Sequence, residues 1–228
     1  LRNIEEIIRF EMDAVGGQEL RMPAIQPKSL WDKSGRSISM GQELFNLNDR
    51  RDKPFVLAPT HEELLTTIVK ETISSYKSLP QLIYQMQTKL RDEPRPRGGL
   101  LRVREFIMKD AYSFDLDKEG LDESYEKQAQ AYKNIYDKCG LEVIQIEADS
   151  GAIGGKDSHE FVALSEAGED KVVLCNNCNY SANSEKAIFS KNEYPLENKL
   201  KKEEISTPGV KTISELCKFT GVKPYKTI

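Results

Sequence analysis

Leu90-Arg91-Asp92-Glu93-Pro94-Arg95-Pro96-Arg97-Gly98-Gly99-Leu100-Leu101-Arg102-Val103-Arg104-Glu105-Phe106 is the stretch on which the fold turns. On its N-terminal side, Leu82, Tyr84, Met86, Thr88 and Leu90 alternate with Gln85, Gln87, Lys89, Arg91 and Glu93. A period of two belongs to a strand. Beyond the Pro/Gly-rich turn, Arg102, Arg104, Phe106, Met108, Asp110 and Tyr112 alternate with Leu101, Val103, Ile107 and Ala111. Two long strands around a Gly/Pro loop predict an antiparallel pair.

Upstream, Ile4, Ile7, Ile8, Met12 and Val15 recur at helical spacing and Gly16-Gly17 supplies the stop, so a helix ending near Val15 is expected. Residues 18–59 read as short extended runs and turns, with Phe55-Val56-Leu57 a buried strand. Thr60-His61-Glu62-Glu63 has capping-box spacing, followed by Leu64, Leu65, Ile68, Val69, Ile73 and Tyr76 on one helical face. Downstream, Leu121 to Cys139 forms another helical face closed by Gly140, Val143 to Ala148 is strand-like, and Gly151 to Gly155 is a tight connection. Lys171 to Cys175 is a further strand candidate leading into the Cys175/Cys178 turn. These elements predict an α+β fold for residues 1–190, a mostly antiparallel sheet flanked by helices. Residues 191–205 are charged and read as a linker; residues 206–228, with Ile213, Leu216, Cys217 and Phe219, read as the opening of a second domain.

The totals bound the function. Of 228 residues, 38 % are hydrophobic and 31 % charged, which fits a soluble domain, and no apolar run approaches the roughly 20 residues of a membrane span. The net charge of −4 offers no global attraction to nucleic acid, so any RNA contact rests on local patches. Four cysteines, two of them isolated, do not make a disulfide framework, so a cytoplasmic setting is expected. Leu1 reads as an interior start. Cys175-Asn176-Asn177-Cys178 is half of a zinc-knuckle spacing without a second pair nearby; the weak zinc reading stands beside a surface turn with two free thiols.

From Lys89 to Arg104 six basic residues face two acids, a surplus of four positive charges. This is either a solvated basic loop or a polyphosphate or RNA cradle, for which the planar arginine fork is suited. Arg91, Glu93, Arg102 and Phe106 combine a phosphate binder, an acceptor for an exocyclic amine and a ring able to stack on a base. Thr60 likewise has two compatible readings, helix capping with Glu63 and, with Glu62, a hydroxyl and carboxylate for a ligand ammonium.

Leu90-Arg91-Asp92-Glu93, the loop, and Arg102-Val103-Arg104-Glu105-Phe106 with Asp110 resemble the second signature motif of class II aminoacyl-tRNA synthetases. Pro59-Thr60-His61-Glu62-Glu63, Lys109-Asp110-Ala111-Tyr112-Ser113-Phe114 and Gly154-Gly155-Lys156-Asp157-Ser158-His159-Glu160-Phe161 are similar to the bacterial prolyl branch of that class. The likeness runs from Leu1 to about Ala187. It implies ATP with Mg²⁺, proline and tRNA(Pro) as ligands and partners, and a homodimer in the full-length protein. It implies that Arg91 binds the α-phosphate as the catalytic residue, that Glu93 meets the adenine amine, that Phe106 stacks on adenine and that Arg102 lies near the terminal phosphates. For proline it implies Thr60, Glu62, Tyr112 and His159; Met108 and Phe106 offer apolar walls for the ring.

The family's third motif, with its second ATP-binding arginine, has no counterpart after Arg104, the last arginine of the chain, and the anticodon-binding domain has none either. The first motif is recognisable only at Pro23, and Thr207 to Ile228 resembles the opening of the editing insertion. The resemblance therefore implies an N-terminal catalytic fragment with little activity of its own. The competing readings are a non-catalytic paralogue that binds nucleotide or RNA, and an enzyme of the same class for threonine, serine or glycine.

Overall fold

The computed structural model describes residues 1–149, 158–166, 168, 170–188 and 204–223. They divide into two compact units, Leu1–Ala187 and Ile188–Ile228. The first contains every candidate site residue.

The amphipathic start of the chain forms α1 (Arg2–Ala14). Gly16 leaves the helix at φ 84°, and Gly17 packs so closely that a Cβ there would stand 2.7 Å from the Met12 carbonyl oxygen. β1 (Gln18–Glu19) and β2 (Ile25–Pro27) follow. The next segment departs from the expected extended runs: α2 (Lys28–Ser34) and α3 (Arg36–Ser39) are helices, separated by Gly35 at φ 78°. They are too short for their apolar spacing to register as a helix, and a tertiary anchor holds them instead. Trp31, fully buried, donates its indole N–H to Gln26 Oε1 at 2.9 Å and clusters with Leu44 and Val56. Val56 sits on β4 (Pro54–Leu57), the expected buried strand, which runs antiparallel between β2 and β3 (Asn46–Asn48).

α4 (Glu62–Thr72) begins where the sequence places it, without the expected capping box. Its cap residue is His61, and Glu63 turns away to accept from Ser34 Oγ at 3.0 Å and from Arg36. The helix ends at Thr72, so Tyr76 falls in a separate 3₁₀ turn.

β5 (Gln81–Leu90) and β6 (Glu105–Phe114) form the expected antiparallel pair, in register from Gln81 opposite Phe114 to Leu90 opposite Glu105. The pairing is shorter than the alternation, so Arg91, Glu93, Arg102 and Arg104 belong to the connection. Opposed residues share a face. One face, with Leu82, Tyr84, Met86 and Ala111, meets α1 and α5 (Lys118–Lys138) in a core around Met12 and Ala131. The other carries Gln85, Gln87 and Lys89 beside Asp110, Met108 and Phe106. β7 (Ile144–Glu147), β8 (His159–Val162), β9 (Val172–Leu174) and β10 (Ser181–Asn183) make a second sheet in the order β8-β7-β10-β9. Pairing is antiparallel except for β1 on β5 and β7 on β10. This is the α+β arrangement expected, with helices beside antiparallel-rich sheets.

The second unit contains α6 (Ile213–Thr220), opened by a capping box between Thr212 and Glu215. The Gly151 to Gly155 connection, most of the charged stretch 191–205 and residues 224–228 lie outside the described residues.

α1 and α5 are clasped by a buried acid. The Glu11 carboxylate accepts from Lys138 and, at 2.8 Å, from Asn134. The Lys138 hydrogen bond, then that from Asn134, holds the Glu11 carboxyl below the usual glutamate range. A depressed folded-state value means stability present above the unfolded value and lost as pH falls through the folded one. Replacing Glu11→Gln is therefore expected to lower the melting temperature at pH 7 and to flatten its decline below about pH 4.5, followed by thermal unfolding across that range. An unchanged acid limb would contradict the assignment.

Candidate active site

The connection between β5 and β6 folds back on the strand ends. Arg97 and Arg102 exchange backbone hydrogen bonds, and Arg91 N–H donates to the Arg104 carbonyl at 2.9 Å. The result is a cavity of about 560 Å³ lined by Arg91, Glu93, Arg102, Val103 and Phe106 among others. The four residues expected to hold ATP thus come together. The Arg91 guanidinium lies over the Phe106 ring at 5.3 Å, which orients its planar fork of donors. One arm donates to the Pro59 carbonyl at 3.3 Å, while Nε is buried without a hydrogen-bond partner. A buried donor of this kind is costly unless a ligand satisfies it, and an anion is the natural acceptor.

Glu93 and Arg102 line the same cavity as a pair. Glu93 Oε2 stands 2.8 Å from Arg102 Nε, and the other oxygen accepts the Arg95 N–H at 3.3 Å. The Arg102 hydrogen bond holds the Glu93 carboxyl below its ordinary range, so the group is an anion and an acceptor at neutral pH.

The chain from Ala58 to Glu62 runs beside this cavity. Ala58 accepts the Leu90 N–H at 3.1 Å, and Pro59 accepts from Arg91. Thr60 is buried and donates its hydroxyl to Glu62 Oε2 at 2.5 Å. Arg36 Nη1 approaches the same oxygen at 3.0 Å and also holds Glu63, while its guanidinium lies 5.3 Å from the Trp31 ring. Tyr112 stands behind His61, accepting its backbone N–H at 3.3 Å and donating to Asp110 Oδ2 at 2.6 Å. Burial, then the Glu62 charge, pushes the Tyr112 phenol well above its ordinary range, so it stays a neutral donor. Alternation sets Met108 on this face between Phe106 and Asp110. Thr60, Glu62, Met108 and Tyr112 are thereby brought to one wall.

His159 does not join them. Its Nδ1 pairs with the Tyr125 hydroxyl at 2.8 Å, in a separate cavity lined by Ala111 and Ser113 from the helix-facing side of β6. β8 lies against α5, where Phe161 stacks on Tyr132, and this carries His159 to the far side of the strand. Lys89 also departs from the basic-cradle reading: it is fully buried and ion-paired with Asp110 rather than offered to a phosphate. Arg36, Gln85 and Asp110 enter the site without having been singled out as ligand-shaping residues. Gln85 and Lys89 occupy positions whose polar alternation reads as a solvent face, and only packing shows the face to be covered.

Cys175 and Cys178 are exposed at the β9–β10 turn. Among the described residues no three His, Cys, Asp or Glu side chains gather as a metal site. Hydrogen bonds to the sulfur, led by the Asn177 N–H at 3.4 Å, lower the Cys175 thiol below its usual range. Alkylation of Cys175 by iodoacetamide, followed by mass spectrometry, is expected to accelerate at lower pH than that of a cysteine thiol in an unstructured peptide. Coincident pH profiles would contradict the sulfur's hydrogen-bonded environment.

Residues 45–195 match the tRNA synthetase class II core domain (G, H, P, S and T). A proline–tRNA ligase of Dehalococcoides mccartyi is 57 % identical over the whole chain and one of Moorella thermoacetica 53 %; the chain spans 40 % of the length of each. Among solved structures, a Giardia lamblia prolyl-tRNA synthetase in complex with prolyl-adenylate aligns with a TM-score of 0.59 at 22 % identity, over 63 % of this chain and 30 % of that one. That likeness supports the fold, as the curated relatives support the kinship. With its second-motif residues gathered around one cavity, the chain belongs to the class II tRNA synthetase core family.

Proposed function

We propose that the full-length protein is a proline–tRNA ligase, forming prolyl-adenylate from proline and ATP and passing the prolyl group to tRNA(Pro). The observation that carries this reading is the bond from Arg91 to the Pro59 carbonyl. It joins the cavity at Arg91 to Thr60 and Glu62, so an anion on Arg91 and an ammonium on Glu62 occupy adjacent positions along one wall. An amino acid bound by its ammonium there presents its carboxylate toward the α-phosphate. Met108 supplies apolar surface for the ring, and Tyr112 closes the pocket behind His61.

The chemistry is chiefly alignment. Proline's carboxylate is ionised at neutral pH and needs no base; its oxygen attacks the α-phosphorus, a new C–O–P linkage forms, and the bond to the β-phosphate breaks to release pyrophosphate. Arg91 stabilises charge on the α-phosphate as it develops, from a half-buried position whose Nε is shielded from water. Phe106 and Glu93 meet the adenine ring and its amine, and Arg102 the terminal phosphates. In the second step a terminal ribose hydroxyl of tRNA attacks the prolyl carbonyl and AMP leaves. Mg²⁺ would accompany ATP as a counter-ion of its phosphates. Homodimerisation and a cytoplasmic setting follow from the same family reading. Among the described residues no helix is long and apolar enough to cross a membrane.

Two substitutions in the full-length protein test this reading by proline-dependent exchange of pyrophosphate into ATP. Arg91→Ala is expected to lower exchange by more than about a hundredfold, because a transition-state contact is lost. Glu62→Gln is expected to raise the KM for proline far more than that for ATP. Near-normal exchange in the first, or equal changes in both KM values in the second, would refute the respective assignment.

A further inference from the structure

Lys89 is fully buried, an uncommon place for an ammonium, and the charge has two partners. Nζ stands 2.8 Å from Asp110 Oδ1, off the hydrogen-bonding axis, and 2.6 Å from His61 Nδ1. Lysine only donates, so Nδ1 accepts, and the ring proton of a neutral His61 sits on Nε2, where it meets the Pro23 carbonyl at 3.1 Å. Burial first, then the Lys89 charge, lowers the His61 pKa and keeps the ring neutral.

The contacts close a circuit. Lys89 holds the His61 ring; the His61 backbone N–H reaches the Tyr112 hydroxyl; Tyr112 donates to Asp110; Asp110 returns to Lys89. Gln85, opposite Asp110 in the β5–β6 register, braces the circuit, donating to Asp110 Oδ2 at 3.0 Å and accepting the Met22 N–H at 3.3 Å. His61 is the residue between Thr60 and Glu62, so both its ring and its backbone are fixed from one buried ammonium.

We propose that Lys89 is a positioning residue for the amino-acid pocket: through His61 and Asp110 it sets the placement of Thr60, Glu62 and Tyr112 against the substrate's ammonium, without touching the substrate itself. This rests on the proline-activating reading above. The physical reason for a charge here is reach with rigidity. A buried ion pair contributes little net stability over an apolar replacement, so its retention needs another role, and an ammonium able to hold a ring nitrogen and a carboxylate together ties β5, β6 and the α4 cap to one point. Asp110 is buried and neutralised by Lys89, whereas Glu62, though paired with Arg36 through Oε2, keeps a carboxylate about a third exposed to a cationic ligand on this wall.

The test separates positioning from support. In full-length protein, Lys89→Met alone leaves the Asp110 carboxylate buried without its cation and is expected to destabilise. The double variant Lys89→Met/Asp110→Asn removes that penalty while Asn keeps an acceptor for Tyr112, and KM values are read on this form by pyrophosphate exchange. Its melting temperature is expected to return to within a few degrees of the unsubstituted protein, its KM for proline to stay raised by about tenfold or more, and its KM for ATP to change by less than about threefold. Recovery of the proline KM together with stability, or an equal rise in both KM values, would overturn the inference. Absence of proline-dependent exchange in the unsubstituted protein would instead overturn the functional reading beneath it.

Discussion

The register of β5 against β6 is the constraint on which the rest of the unit depends. Because side chains alternate at every residue, pairing Gln85 with Asp110 and Lys89 with Phe106 commits Tyr84 and Ala111 to the opposite face. A slip of one residue would drive Lys89 into the helical core and turn Tyr84 outward. Both errors are expensive, one by desolvating an unpaired ammonium and the other by exposing an aromatic ring worth about 2–3 kcal/mol of burial. The hairpin is thus held in place from two sides, by apolar packing against α1 and α5 and by ion pairing beneath the site.

This two-sidedness gives the proposed site a rigid wall. The face packed on Met12 and Ala131 supplies stability and contributes none of its core residues to the cavity at Arg91. The other face places Phe106, Met108, Asp110 and Tyr112 at successive pleats, roughly 7 Å apart, a spacing that suits a ligand lying along the strand. Short segments then complete the wall: α2 and α3 deliver Arg36 to Glu62, with Trp31 as their anchor, and the α4 cap delivers Thr60.

Much of this was legible in the sequence because its signals are periodic or compositional. The β5–β6 pair, α1 ended by Gly16-Gly17, α5 closed by Gly140 and the cavity of Arg91, Glu93, Arg102 and Phe106 all follow from spacing, turn chemistry and motif. What escaped depends on partners distant in the chain. Trp31 holds seven helical residues by contacts with Leu44 and Val56, which no local window contains. Thr60 and Glu63 have capping-box spacing, yet Ser34 and Arg36 draw Glu63 away and Glu62 takes the Thr60 hydroxyl. Lys89 reads as one more cation in a basic run until Asp110 and His61 are seen to enclose it, and His159 follows β8 to the α5 side.

The central claim is that one wall binds both reactants, ammonium on Thr60 and Glu62 and phosphate on Arg91. The most direct measurement is a crystal structure of the full-length protein with a non-hydrolysable prolyl-adenylate analogue. The account predicts the analogue's secondary ammonium within hydrogen-bonding distance of Glu62 and the Thr60 hydroxyl, its phosphate-mimicking group against Arg91, and its adenine against Phe106. An analogue seated in the cavity beside His159 and Tyr125, or one whose ammonium is held without Glu62, would contradict it.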